Sequence, residues 1–92
     1  MLKPKVKASE FTKYGFKRCK GYPKELEWYY LCIAADSKVL FVSDVCFFIS
    51  DWYKNDSRIH KLPNCKYRDN RDSWDVIYDL IIDGVLVKSK KG

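Results

Sequence analysis

The sequence has few of the features that mark phosphate-binding and metal sites. It contains four glycines, no glycine-rich phosphate loop and a single histidine, His60. Its four cysteines are 13, 14 and 19 positions apart along the chain. Structural zinc sites usually take two ligands from one tight turn, as in C-x₂-C. These absences argue against a nucleotide-phosphate cradle and against a zinc site.

Long apolar segments are also lacking. The apolar run at residues 45–49 is far shorter than a membrane span, and the basic N-terminus has no apolar core of the secretory type. We therefore expect a cytoplasmic protein with no membrane partner. In that compartment cysteines stay reduced, and Cys32 and Cys46, which lie within apolar runs, are predicted to be buried thiols.

The composition is that of one folded domain spanning residues 1–92. Of the residues, 47% are hydrophobic and 16% aromatic, which is too rich for a disordered chain. Continuous apolar strand segments further indicate strands that are covered on both faces, or on one face by a helix.

Three apolar segments in the first half of the chain predict strands. Residues 27–34, "EWYYLCIA", are rich in aromatic and β-branched side chains, and a polar turn separates them from "VLFVS", which predicts a β-hairpin. The segment "VCFFIS" at residues 45–50 fits a strand or the start of a short buried helix, and we favour the strand. A short strand is expected at residues 16–19, after a helical turn with Ser9 as N-cap and Gly15 as its stop.

The clearest predicted element is an amphipathic helix over residues 72–83. Asp72 is its expected N-cap and Gly84 its stop, before an edge strand "VLVK". Apolar side chains spaced i, i+3, i+4, i+7 and i+8 share one helix face: Trp74, Ile77, Tyr78, Ile81 and Ile82. We predict an α+β fold in which this face covers a small antiparallel sheet of about four strands.

Residues 51–71, between the last of these strands and the helix, have no periodicity. A loop of that length in a small domain is either functional or a sign that an element has been missed. It holds His60 and Cys65, the residue types of a nucleophilic pair, but no glycine-rich oxyanion loop or distinctive orienting acid accompanies them. The sequence therefore predicts no enzyme, no metal and no cofactor.

The same loop has the composition of a recognition surface. Its six basic residues outnumber three acids and are interleaved with aromatic side chains, a mixture suited to nucleic acid and also common at protein interfaces. The alternating charges of "YRDNRDSW" are equally consistent with another role, in which the arginines pair with local aspartates and brace the loop. The predicted binding residues are Trp52, Tyr53, Arg58, His60, Lys61, Lys66, Tyr67, Arg68 and Arg71.

Basic residues are concentrated at the two ends of the chain, whose net charge is +6. Residues 1–24 carry eight Lys or Arg and one acid, whereas residues 25–87 carry seven and eleven. The basic arm of residues 1–8 and the lysine-rich tail of residues 88–92 suit an acidic protein or a phosphate backbone, or they keep a small domain soluble. The arm also suits strand addition in an oligomer, although the sequence leaves the oligomeric state open.

The segments "FTKYGFKRCKGYP" and "RIHKLPNCKYRDNRDSWDVIYDLIIDGVLVK" resemble those of small uncharacterised proteins of bacteriophages and prophages of Gram-positive bacteria. The resemblance implies a phage-encoded accessory factor in the host cytoplasm, of the kind that regulates or inhibits host machinery, including defence enzymes that act on nucleic acid. It brings no catalytic residues.

We therefore expect a non-enzymatic protein-interaction module or inhibitor whose partner is a host or phage protein. The alternative is a small nucleic-acid-binding protein that uses the basic loop and termini. Both expectations assume that the Trp74–Ile82 face covers the core, which leaves residues 51–71 outside it.

Overall fold

The computed structural model describes residues 2–20, 27–53 and 71–88. A 3₁₀ helix (Ala8–Tyr14) and an α-helix, α1 (Ser73–Ile82), accompany the strands. The strands are β1 (Leu2–Pro4), β2 (Lys17–Arg18), β3 (Tyr29–Ile33), β4 (Lys38–Val42), β5 (Phe47–Asp51) and β6 (Leu86–Lys88). The predicted α+β class is confirmed, and the segment at residues 45–50 is a strand.

The strands form two antiparallel sheets. The larger has four strands, as expected, and their order is β2-β3-β4-β5, with Leu31 opposite Leu40 in the central pair. The smaller joins β1 to β6, with Leu2 opposite Lys88. The C-terminal strand thus pairs with the basic arm, and residues 2–4 of that arm are a strand of this fold.

The 3₁₀ helix begins earlier than predicted. Its N-cap is Lys7, not Ser9, and no side chain of the cap residue bonds the helix start. The Asp44 carboxylate accepts the Ala8 N–H instead, at 2.8 Å, so a distant acid replaces the local cap. Gly15 ends the helix as predicted, with a φ of 93° that favours glycine.

The four-stranded sheet has buried side chains on both of its faces. All five residues of β3 are buried because Leu31 and its alternate neighbours face the helix, while Tyr30 and Cys32 face the opposite side. Cys19 and Cys32 are buried thiols. Cys46 is exposed, so its predicted burial is wrong: it lies just before β5, in the hairpin connection.

Helix α1 covers the sheet with a different face from the predicted one. Val76, Ile77 and Leu80 are buried in the core. Of the predicted face only Ile77 is buried, whereas Trp74 and Tyr78 are each 63% exposed. The assumption that the Trp74–Ile82 face covers the core, on which both functional expectations were based, is therefore wrong. Seven of the ten helix residues are apolar, so the helix carries two overlapping apolar stripes, and the core uses the one that holds Val76 and Leu80.

Both predicted ends of α1 are confirmed. Asp72 and Asp75 form a reciprocal capping box, which satisfies two N–H groups at the helix start. At the other end Gly84 has a φ of 79° and donates its N–H to the Ile81 carbonyl, while Val85 donates to Leu80. This is a Schellman ending, and it turns the chain into β6.

Candidate binding groove

The exposed stripe of α1 forms one side of an open groove of about 490 Å³. We call this space, with its lining residues, the apolar groove. Among the described residues it is lined by Leu2, Phe47, Phe48, Ile49, Trp74, Ile77, Tyr78, Ile81 and Lys88. Eight of these nine side chains are apolar or aromatic, and Lys88 is the one charged residue among them. A volume of this size and a mainly apolar lining are also common among ligand pockets.

The helix side of the apolar groove is fixed by the start of α1. Ser73 donates both its backbone N–H and its hydroxyl to the Asp36 carboxylate, at 2.9 and 2.6 Å. Asp36 lies in the turn between β3 and β4, so these bonds attach the first helical turn to the hairpin. Trp74 follows Ser73 directly, and its position beside the sheet is set by this contact.

The sheet side of the apolar groove is strand β5. Phe47 is buried in the main core, and Phe48 points to the other face of the sheet, where it stacks on Phe41 with ring centroids 5.0 Å apart. The Trp28 ring meets Phe48 edge-on at 5.6 Å. Because β5 is packed on both faces, it is a rigid wall rather than a loose edge.

Hydrogen bonds at the two ends of the β4–β5 hairpin define its bonding pattern. Ser43 donates its N–H to the Cys46 carbonyl at 2.8 Å, and Trp52 donates its N–H to the Ser37 carbonyl at 3.0 Å. Both bonds belong to the register that joins β4 to β5. Since bonded and non-bonded pairs alternate in an antiparallel ladder, the pairs between these ends are also assigned.

Alternation makes Phe48 and Ser50 the β5 residues whose backbone groups bond to β4. The N–H and C=O groups of Phe47 and Ile49 consequently point away from β4. Strand β5 is the last strand of its sheet; β1 lies nearby, but no ladder joins the two. Phe47 and Ile49 also line the apolar groove.

Charges near the apolar groove are unevenly paired. Lys38 donates to Asp51 at 2.5 Å, and this hydrogen bond raises the pKa of the lysine. Arg71 pairs with Asp79 at 2.7 Å, on the side of α1 away from the apolar groove. Lys88 has no ion-pair partner in the described part of the chain. Lys88 is thus the charged group in the groove lining that can pair with a charged ligand.

Three of the predicted binding residues are described, and none lines the apolar groove. Trp52 is half-buried against the second face of the sheet, and Tyr53 is exposed beside it. Arg71 pairs with Asp79 of α1, which lies outside the segment "YRDNRDSW". The other six lie outside the described residues: Arg58, His60, Lys61, Lys66, Tyr67 and Arg68.

The residues of the apolar groove were not predicted as a site. Trp74, Tyr78 and Ile81 were assigned to the core, and Phe47 and Ile49 to a strand with no functional role. One signal was present: a ten-residue helix with seven apolar side chains has more apolar surface than one buried face requires.

Within residues 2–20, 27–53 and 71–88, no group of three or more His, Cys, Asp or Glu side chains is placed to hold a metal ion. His60 and Cys65 lie outside those ranges, so the predictions that concern them stay predictions. No helix in the described part of the chain has the length and apolar character needed to cross a membrane.

Comparison with known proteins gives no relative: no family model matches the chain, and neither the curated proteins nor the solved structures contain a match.

Proposed function

We propose that this chain is a non-enzymatic protein-interaction module whose apolar groove receives side chains of a partner protein. The observation that carries the proposal is the exposure of Trp74 and Tyr78 beside a groove lined almost wholly by apolar side chains. Contiguous apolar surface of this kind is uncommon on a monomer and typical of interaction sites.

The residue types support a protein partner. Trp and Tyr are the side chains most enriched among interface residues that dominate binding energy. Here both lie on one rigid helix and project beside a packed strand, so little conformational entropy is lost when a partner binds. In its specific form, the proposal is that the partner is a host or phage protein and that binding inhibits this partner. The setting is the host cytoplasm.

Nucleic-acid binding stays the alternative prediction. Affinity for a phosphate backbone needs several cations on one surface, and the apolar groove supplies one, Lys88. The basic residues that suggested nucleic acid are mostly outside the described ranges, so no observation favours this alternative over the first.

The test is a selection from a displayed random-peptide library against the whole chain, followed by affinity measurement on variants. We expect selected peptides to carry two or more large apolar residues. Trp74→Ala and Tyr78→Ala should each weaken binding by about tenfold or more, as for side chains that dominate an interface. Ile82→Ala is the matched control, because Ile82 is exposed on the same helix but does not line the apolar groove.

Equal binding by all three variants, or failure to select any apolar peptide, would overturn the proposal. Circular dichroism of each variant checks that α1 stays folded. A fluorescent oligonucleotide at low salt tests the alternative in parallel: tight binding that is unchanged by Tyr78→Ala would favour nucleic acid.

A further inference from the structure

The geometry points to a defined binding mode: we infer that the partner segment binds as an extended strand along the outer edge of β5, with a carboxylate directed to Lys88. This inference rests on the proposed function and adds the conformation and the charge of the ligand. The occupant is a peptide segment of another protein in which apolar residues alternate and an acid lies close by.

The backbone of β5 favours an extended ligand. Phe47 and Ile49 direct their N–H and C=O groups away from β4, and both residues line the apolar groove. A ligand that fills the groove removes water from these groups, and a buried backbone group left without a partner is costly. A helix has no free backbone groups to offer along its length, whereas an added strand supplies a donor and an acceptor at every second residue.

The same register places the side chains of the ligand. Phe47 and Ile49 face the core that α1 covers, and the exposed stripe of the helix lies beside them. Side chains of an added strand alternate between the two faces of the sheet. Every second residue of the ligand would therefore contact Trp74 and Tyr78, which predicts an apolar-x-apolar motif.

Lys88 determines the charge of the ligand. It is opposite Leu2 in the small sheet, and both residues line the apolar groove. The described lining contains no carboxylate to neutralise it. Lys88 is exposed, so a carboxylate of the ligand would form a salt-dependent ion pair of modest strength with it, which can still select among peptides. The partner segment is thus expected to bring an Asp, a Glu or a terminal carboxylate.

Two measurements on the full chain test the strand mode. Hydrogen exchange should show the Phe47 and Ile49 amides exchanging faster than the Phe48 and Ser50 amides in the free protein. A selected apolar peptide should then slow exchange at Phe47 and Ile49 specifically. N-methylation of the peptide at successive positions should reduce affinity about tenfold at alternate positions only. At those positions the methyl group removes a hydrogen bond to β5 and clashes with the strand.

The charge is tested with Lys88→Glu and, as the matched control, Lys3→Glu, which changes a lysine on the neighbouring strand that does not line the apolar groove. Selection against Lys88→Glu should enrich Lys or Arg in place of Asp or Glu, and selection against Lys3→Glu should leave the acidic preference unchanged.

The possible failures are distinguishable. If no apolar peptide is selected, the proposed function fails and this inference fails with it. If apolar peptides bind but protection of Phe47 and Ile49 is absent, or N-methylation acts without alternation, the strand mode is wrong while the module stands. If both lysine variants keep the same peptide preference, the role of Lys88 is wrong.

Discussion

Two aspartates, each far in sequence from the helix it contacts, accept hydrogen bonds from residues at the two helix starts. Asp44 accepts the Ala8 N–H, and Asp36 accepts both the N–H and the hydroxyl of Ser73. Local capping signals are visible in a sequence because cap and helix are adjacent. These partners are 36 and 37 positions apart, so local sequence does not reveal them, and the local pattern predicts Ser9 as a cap where the structure has Lys7.

The raised pKa of Tyr29 predicts how the stability of the folded protein depends on pH. Burial raises its pKa above the ordinary value of 10.0, with a further increase from the Glu27 carboxylate. The folded state therefore holds the phenol proton more tightly than the unfolded state. The resulting contribution to stability is complete below the pKa of Tyr29 in the unfolded state. It is lost as pH rises through the pKa of Tyr29 in the folded state.

Urea unfolding of the natural chain and of Tyr29→Phe between about pH 8 and about pH 11 measures this effect. We expect the free energy of unfolding to fall less steeply with pH in the variant, while the other tyrosines contribute equally to both. Identical pH dependence in the two proteins would contradict the assignment.

The position of α1 was predictable from its sequence, but its rotation about its own axis was not. The capping box and Gly84 define where the helix begins and ends, and both are local signals. The buried face is chosen by packing against the sheet, and two apolar stripes that share Ile77 satisfy the periodicity equally well. The choice between them depends on residues far away in the chain.

Two substitutions on α1 separate these stripes. Leu80→Ala removes a fully buried side chain and should lower the free energy of unfolding by about 2–5 kcal/mol, through lost burial and a cavity. Ile82→Ala, at a side chain 65% exposed, should change it by less than about 0.5 kcal/mol. Chemical denaturation measures both, and a larger loss at Ile82 would mean that the predicted face is the buried one after all.

At the scale of the whole molecule, the strands of the four-stranded sheet were predictable, whereas the second sheet, in which β6 pairs with β1, and the apolar groove were not. Strands β3, β4 and β5 follow one another through short turns, so local pattern and turn chemistry suffice to pair them. The apolar groove is assembled from β1, β5, α1 and β6, whose proximity exists only after folding. The predicted site at residues 51–71 came instead from one continuous segment, which is the kind of site that composition alone can indicate.

Two contacts of the β3–β4 turn indicate where the chain can accept an insertion. Trp52 donates its N–H to Ser37, and Ser73 donates its N–H to the adjacent Asp36, so the two described residues are attached at neighbouring positions of one turn. We expect flexible sequence added directly after Tyr53 to leave both contacts in place. The entropy of closing a chain grows only logarithmically with its length, and doubling the length costs about 0.6 kcal/mol.

This position is therefore the natural place for a tag, a reporter or a foreign epitope. A chain carrying a Gly-Ser insert directly after Tyr53 should unfold with nearly the natural free energy in urea. The same insert placed within the β4–β5 connection, where Asp44 holds Ala8, should be strongly destabilising. Equal losses at the two positions would show that the shared anchor does not isolate the inserted chain from the rest of the domain.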